Sequence, residues 1–129
     1  MLREILEVAK EPGEHRRWFH DDDFDVFVWQ SQSGKVTRFQ VCYSIGLDER
    51  ALVWHQHAGL FYDGTQSEAK APPVPELDLA RFEEAAQGLP RTIRHTVKRH
   101  IREYLEGRLH AAVRRRRFRR ETWQDMPAT

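Results

Sequence analysis

The string Trp54-His55-Gln56-His57 is the first place in this sequence where residue type and spacing suggest chemistry. On an extended strand a period of two turns both imidazoles to one face, about 7 Å apart, within reach of a single metal ion. A closed site needs further ligands, and these would come from His20, Asp21, Asp22, Asp23 or Asp63. With that set complete the chain would be a small metal-dependent enzyme using His55 and His57; without it the pair is two polar residues beside a turn. Nucleophilic catalysis finds less support. There is no Gly-x-Ser-x-Gly elbow, no Cys-His signature and no glycine-rich phosphate loop. Cys42 lies in an apolar strand pattern and reads as a small buried residue. The balance leans away from catalysis, and no cofactor is expected.

A second chemistry is carried by arginine. Arg114, Arg115, Arg116 and Arg117 run into Phe118, Arg119 and Arg120, and they continue a cationic helix face that includes Arg99 and Arg102. Guanidinium clusters neutralise phosphates and release their counterions, and an interleaved aromatic ring can stack on an unpaired base, so nucleic acid is one possible partner. The charge has a second explanation. Residues 1–90 carry 9 basic and 16 acidic side chains, a net −7, and residues 91–129 carry 12 and 4, a net +8. The basic part can therefore answer the acids of its own chain or of a second copy. Only cations left over after that pairing point to an outside partner.

A third group is aromatic. Trp18, Trp29, Tyr43, Trp54 and Tyr62 exceed what one side of a small sheet needs, and Trp18, Trp29, Tyr43 and Trp54 with the polar Arg38 and Gln40 could line a pocket or a subunit interface.

The elements that would position these residues follow from periodicity. Residues 2–8 alternate like a strand, with a short helix as the alternative. Residues 15–23 read as a polar connection ending in Asp21, Asp22 and Asp23. Residues 24–30 are apolar on both faces, as in a central strand. Residues 31–35 have the length and glycine of a hairpin loop. Residues 36–43 place Thr37, Phe39, Val41 and Tyr43 on one face, and Val36, Arg38, Gln40 and Cys42 on the other. After a turn at 46–49 come strands at 51–57 and 60–62, then an exposed crossover over 65–75 rich in small residues and proline. Asp78 suits an N-cap, and Gly88 with Pro90 ends that helix and opens the next. The last helix carries Ile93, Val97, Ile101, Tyr104, Leu105, Leu109, Ala112 and Val113 at spacings of mostly three and four, with Gly107 as a weak point.

The expected fold class is α+β: an antiparallel β-meander of three to five strands packed against two C-terminal helices, the last one long and basic. One domain over 1–117 and a basic tail over 118–129 fit the length. The acids near the N-terminus do not suit a secretory signal, and no run approaches the roughly 20 apolar residues of a membrane span. A single cysteine suits a reducing compartment, so a cytoplasmic location is expected.

The strings Pro12-Gly13-Glu14, Arg16-Arg17-Trp18-Phe19, Phe24-Asp25, Val28-Trp29, Phe39-Gln40-Val41-Cys42-Tyr43 and Ala51-Leu52-Val53-Trp54 resemble a small family of uncharacterised bacterial proteins with an RRWF and FQxCY pattern. The resemblance covers about the first two-fifths of the chain. It implies a bacterial cytosolic protein and carries over no functional site. The sequence therefore reads as a non-enzymatic binding or protein-interaction domain. Its partner would be another protein or a second copy, with nucleic acid as the alternative and no membrane.

Overall fold

The computed structural model of the chain describes residues 1–6, 14–43, 50–63, 77–106 and 111–114. Seven strands form one sheet in chain order: β1 (Arg3–Ile5), β2 (Glu14–His20), β3 (Asp25–Ser31), β4 (Val36–Tyr43), β5 (Arg50–His55), β6 (Gly59–Asp63) and β7 (Ala111–Arg114). The first six run antiparallel to their neighbours, and β7 adds to β6 in parallel. Two helices, α1 (Leu79–Ala85) and α2 (Arg91–Leu105), follow the meander, joined by a 3-10 turn over Ala86–Gly88. The class is α+β, with more strands than the three to five expected.

Both extra strands have a physical cause. Residues 15–20 are strongly polar, yet they form most of β2, hydrogen-bonded to β1 on one side and β3 on the other. Arg16 is only 2% exposed there. Backbone pairing on two sides outweighs a side-chain pattern that lacks apolar alternation. At the other end, Ala112 and Val113 belong to no helix. The helix stops at Leu105, two residues before Gly107, and Leu60, Phe61 and Tyr62 pair with Ala111, Ala112 and Val113. A small apolar run serves a strand as well as a helix, and an available sheet edge decides between them. Leu109 and the tail over 118–129 lie outside the described residues.

The helices cover one face of the sheet. Phe19, Val26, Val28, Phe39, Val41, Tyr43, Leu52 and Leu60 meet Phe82, Leu89, Ile93, Val97 and Ile101 in one buried cluster. A β-bulge refines the expected alternation. Trp29 faces Arg38 while Gln30 faces Val36, so Thr37 is the extra residue and Val36 joins the helix-side core rather than the face of Arg38. The other face carries a smaller buried cluster of Phe27, Trp29, Cys42, Ala51 and Val53.

Asp78 caps α1 as its sequence suggests, its carboxylate accepting from the Arg81 N–H at 3.1 Å. The N-terminal segment locks onto the end of this helical unit, where the Leu2 N–H donates to the Ala85 carbonyl at 3.0 Å. Gly88 permits that approach, because a Cβ there would lie 1.9 Å from the Leu2 carbonyl oxygen. Gly88→Ala is therefore expected to lower the unfolding free energy by about 1–3 kcal/mol, the usual range for overpacking, as measured by urea denaturation.

Candidate functional site

The outer side of α2 is the strongest candidate. Ile93, Val97 and Ile101 recur every four residues and are buried against the sheet, which turns Arg91, Arg94, His95, Lys98, Arg99 and Arg102 outward. Together with Glu106 these six are the described residues that line a groove of about 680 Å³. Charge pairing separates the cations into two groups. Arg102 forks onto Glu83 of α1, with Nη2 and Nε donating to Oε1 at 2.6 and 2.9 Å. Arg99 reaches Glu103 one turn on, at 3.7 Å. Arg91, Arg94 and Lys98 have no ion pair among the described residues.

These three occupy positions i, i+3 and i+7, a row rising about 10 Å along one side of the helix. The first turn of α2 contains no acidic residue. Arg91 and Arg94 therefore add positive charge to the positive end of the helix dipole, an arrangement that costs roughly 0.3–1 kcal/mol per charge. The local fold gains nothing from it, whereas an anion at that end would be attracted by side chains and backbone together. Arg94 and Lys98 also border a second concavity with Glu83 and Glu84 of α1, so acids of the same chain bound the cationic surface on that side.

Of the arginines expected from sequence, the three among the described residues do not stand together as one free cluster. Arg99 and Arg102 lie in the groove but are paired, and Arg114 sits at the end of β7, in register with Asp63. Arg115, Arg116, Arg117, Arg119 and Arg120 lie outside the described residues. The spacing of the helix alone places Arg91, Arg94 and Lys98 on its surface, but which cations stay unpaired depends on where α1 sets its acids.

The histidine pair departs from strand geometry. β5 ends at His55, and His57 belongs to a turn in which the Ala58 N–H donates to the His55 carbonyl and Gly59 follows with a φ of +87°. The rings stand 5.9 Å apart, but the His57 backbone N–H donates to His55 Nδ1 at 3.2 Å and occupies that nitrogen. Two of the ligands expected to complete the site, Asp21 and His20, are engaged elsewhere. Asp21 accepts from the Asp23 and Phe24 N–H groups, each at 2.8 Å. His20 is bound to Asp25, and the row joining His20, Asp25, Cys42 and Ala51 crosses the opposite end of the strands from the row joining Arg16, Trp29, Arg38 and His55. Among the described residues no group of three or more His, Cys, Asp or Glu is arranged to hold a metal.

The six residues expected to share a pocket are divided between the two faces. Tyr43 and Trp54 pack in the helix-side core, whereas Trp18, Trp29, Arg38 and Gln40 lie on the other face. There the Arg38 guanidinium sits 4.2 Å from the Trp29 ring, and Trp29 and Gln40 are buried. Beside them the Trp18 indole N–H donates to Asp25 Oδ1 at 2.6 Å, and His20 Nδ1 meets the same oxygen at 2.8 Å. A carboxylate oxygen accepts, so this contact assigns the His20 ring proton to Nδ1.

His100 joins α2 to the sheet. Its ring stacks on Trp54 at 4.3 Å, and Trp54 stacks on Phe39 at 5.5 Å. Burial pushes the His100 pKa below the usual histidine range, the nearby Arg99 charge pushes it further, and Glu103 opposes both. The folded protein thus takes up this proton less readily than the unfolded chain, and stability falls as pH drops below the ordinary histidine value of about 6.5. The loss grows until the pH passes the lowered folded value. Thermal unfolding from pH 8 to pH 5 is expected to show this decline, and His100→Phe, which keeps a flat ring on Trp54, to reduce its slope.

No helix among the described residues is long and apolar enough to cross a membrane. Compared with known protein families, with curated proteins and with solved structures, the chain matches none.

Proposed function

We propose that this protein is a non-enzymatic binding domain that takes an anionic macromolecular partner along the outer face of α2. The observation that carries the reading is the row Arg91, Arg94 and Lys98, unpaired among the described residues and set along a groove. Neighbouring cations of the same helix, Arg102 and Arg99, find acids at Glu83 and Glu103, and the row is left over from that pairing among the described residues. The cost of cations at a helix N-terminus supports a role outside stability. Two histidines have structural work: His55 accepts a backbone hydrogen bond and His100 stacks in the core. The buried thiol of Cys42, the sole cysteine, supports a reducing setting such as the cytoplasm.

Heparin serves as a generic polyanion for the test. The wild-type protein is expected to elute from a heparin column at clearly higher salt than the triple variant Arg91→Gln/Arg94→Gln/Lys98→Gln. The variant's unfolding midpoint should be unchanged or raised, because like charges leave the positive end of the dipole. Equal elution of the two proteins would sink the assignment of the surface.

A further inference from the structure

We infer that the anion received by α2 is the phosphodiester backbone of a nucleic acid, held without reading its base sequence; the inference rests on the binding surface proposed above. The composition of the groove separates the candidate partners. A protein interface is organised around buried apolar or aromatic anchors with charge at the rim. The described residues of this groove are Arg91, Arg94, His95, Lys98, Arg99, Arg102 and Glu106, with no apolar anchor among them. A membrane surface asks for apolar side chains to insert beside the cations, and the same residues offer none. Interfaces with nucleic acid have the opposite character, polar and densely positive.

Residue type and spacing agree with that choice. Arg91 and Arg94 present planar forks that bind phosphate oxygens in pairs, and Lys98 adds a point charge in the same row. A linear array of about 10 Å along the helix suits a repeating anion better than a single one. The positive end of the α2 dipole lies beside Arg91 and Arg94. Base identity is read by groups that reach base edges, chiefly bidentate side chains, whereas phosphate contacts carry no sequence information. Among the described lining residues there is no amide side chain to pair with adenine and no Phe, Tyr or Trp to stack on a base. An arginine fork also fits the guanine edge, so the comparison of unrelated duplexes decides whether Arg91 and Arg94 hold phosphates alone.

The test uses the full chain and fluorescence anisotropy with two labelled DNA duplexes of unrelated sequence, a single-stranded DNA and a single-stranded RNA. With about three phosphates neutralised on duplex DNA, affinity is expected to fall about 40-fold between about 50 and about 200 mM salt. The two duplexes should bind alike. The triple variant Arg91→Gln/Arg94→Gln/Lys98→Gln should lose about 10-fold or more at the lower salt, and Lys35→Gln, an exposed cation on the far β3–β4 turn, should match wild type. The tighter of the DNA and RNA arms identifies the source of the backbone. A difference of about 100-fold between the duplexes would overturn the claim of sequence independence. Nucleic-acid binding that survives the triple substitution would overturn the site. Retention on heparin without binding to any of the four probes would overturn this inference and leave the anionic surface standing, and binding to no polyanion at all would remove both.

Discussion

The arrangement of this protein depends on a central pair of strands that must be buried on both sides. In β3, Val26 and Val28 point to one face and Phe27 and Trp29 to the other, and all four are shielded from solvent. In β4, Phe39 and Val41 oppose Gln40 and Cys42 in the same way. Such strands cannot lie at the surface, so the faces of the sheet must be covered. The helix side is met by Phe82 of α1 and by Ile93, Val97 and Ile101 of α2. Once those three positions are committed to the core, the periodicity of the helix determines that 91, 94 and 98 look outward. The cationic row is thus a geometric consequence of how the sheet is closed.

Polar groups inside the assembly reinforce the same architecture. Arg17 donates through Nε and Nη2 to both carboxylate oxygens of Glu4, at 2.8 and 2.7 Å, which ties the short edge strand β1 to β2. That contact holds the Glu4 carboxyl below and the Arg17 guanidinium above their ordinary values. Asp25, fully buried, gathers Trp18 and His20 at one end of the sheet. His100 completes a column of stacked rings with Trp54 and Phe39 and so connects the cationic helix to the middle of the meander. The cationic face and the core are therefore opposite sides of one element.

Much of this organisation was legible in the chain. Runs of Val, Phe and Trp marked β3, β4 and β5, a glycine-containing loop marked the β3–β4 hairpin, and Asp78, Gly88 and Pro90 bounded the helices. The strands that escaped were those whose identity depends on a neighbour. β2 is written in arginines and histidines and becomes a strand because β1 and β3 supply its hydrogen bonds, while β7 carries an apolar pattern that a helix could equally have used. The aromatic group was misread for a related reason. Strand parity separates Tyr43 and Trp54 from Trp18 and Trp29 even though all four are aromatic, and that parity depends on how neighbouring strands align; the bulge at Thr37 moves only Val36 to the other face.

The sequence by itself determined the α+β class, the apolar stripe of the last helix and the surplus of positive charge after residue 90, because these depend on residue type and on spacing within one element. Only the tertiary structure decided which of those charges remain available. Glu83 meets Arg102 from 19 residues away on a different helix, while Arg91, Arg94 and Lys98 meet no carboxylate among the described residues. His55 and His57 show the same division. Their spacing allowed a shared metal, but the end of β5 between them sent one imidazole into a turn and tied the other to a backbone N–H. Pairing over long sequence separations follows from where elements come to rest, and no local pattern encodes that.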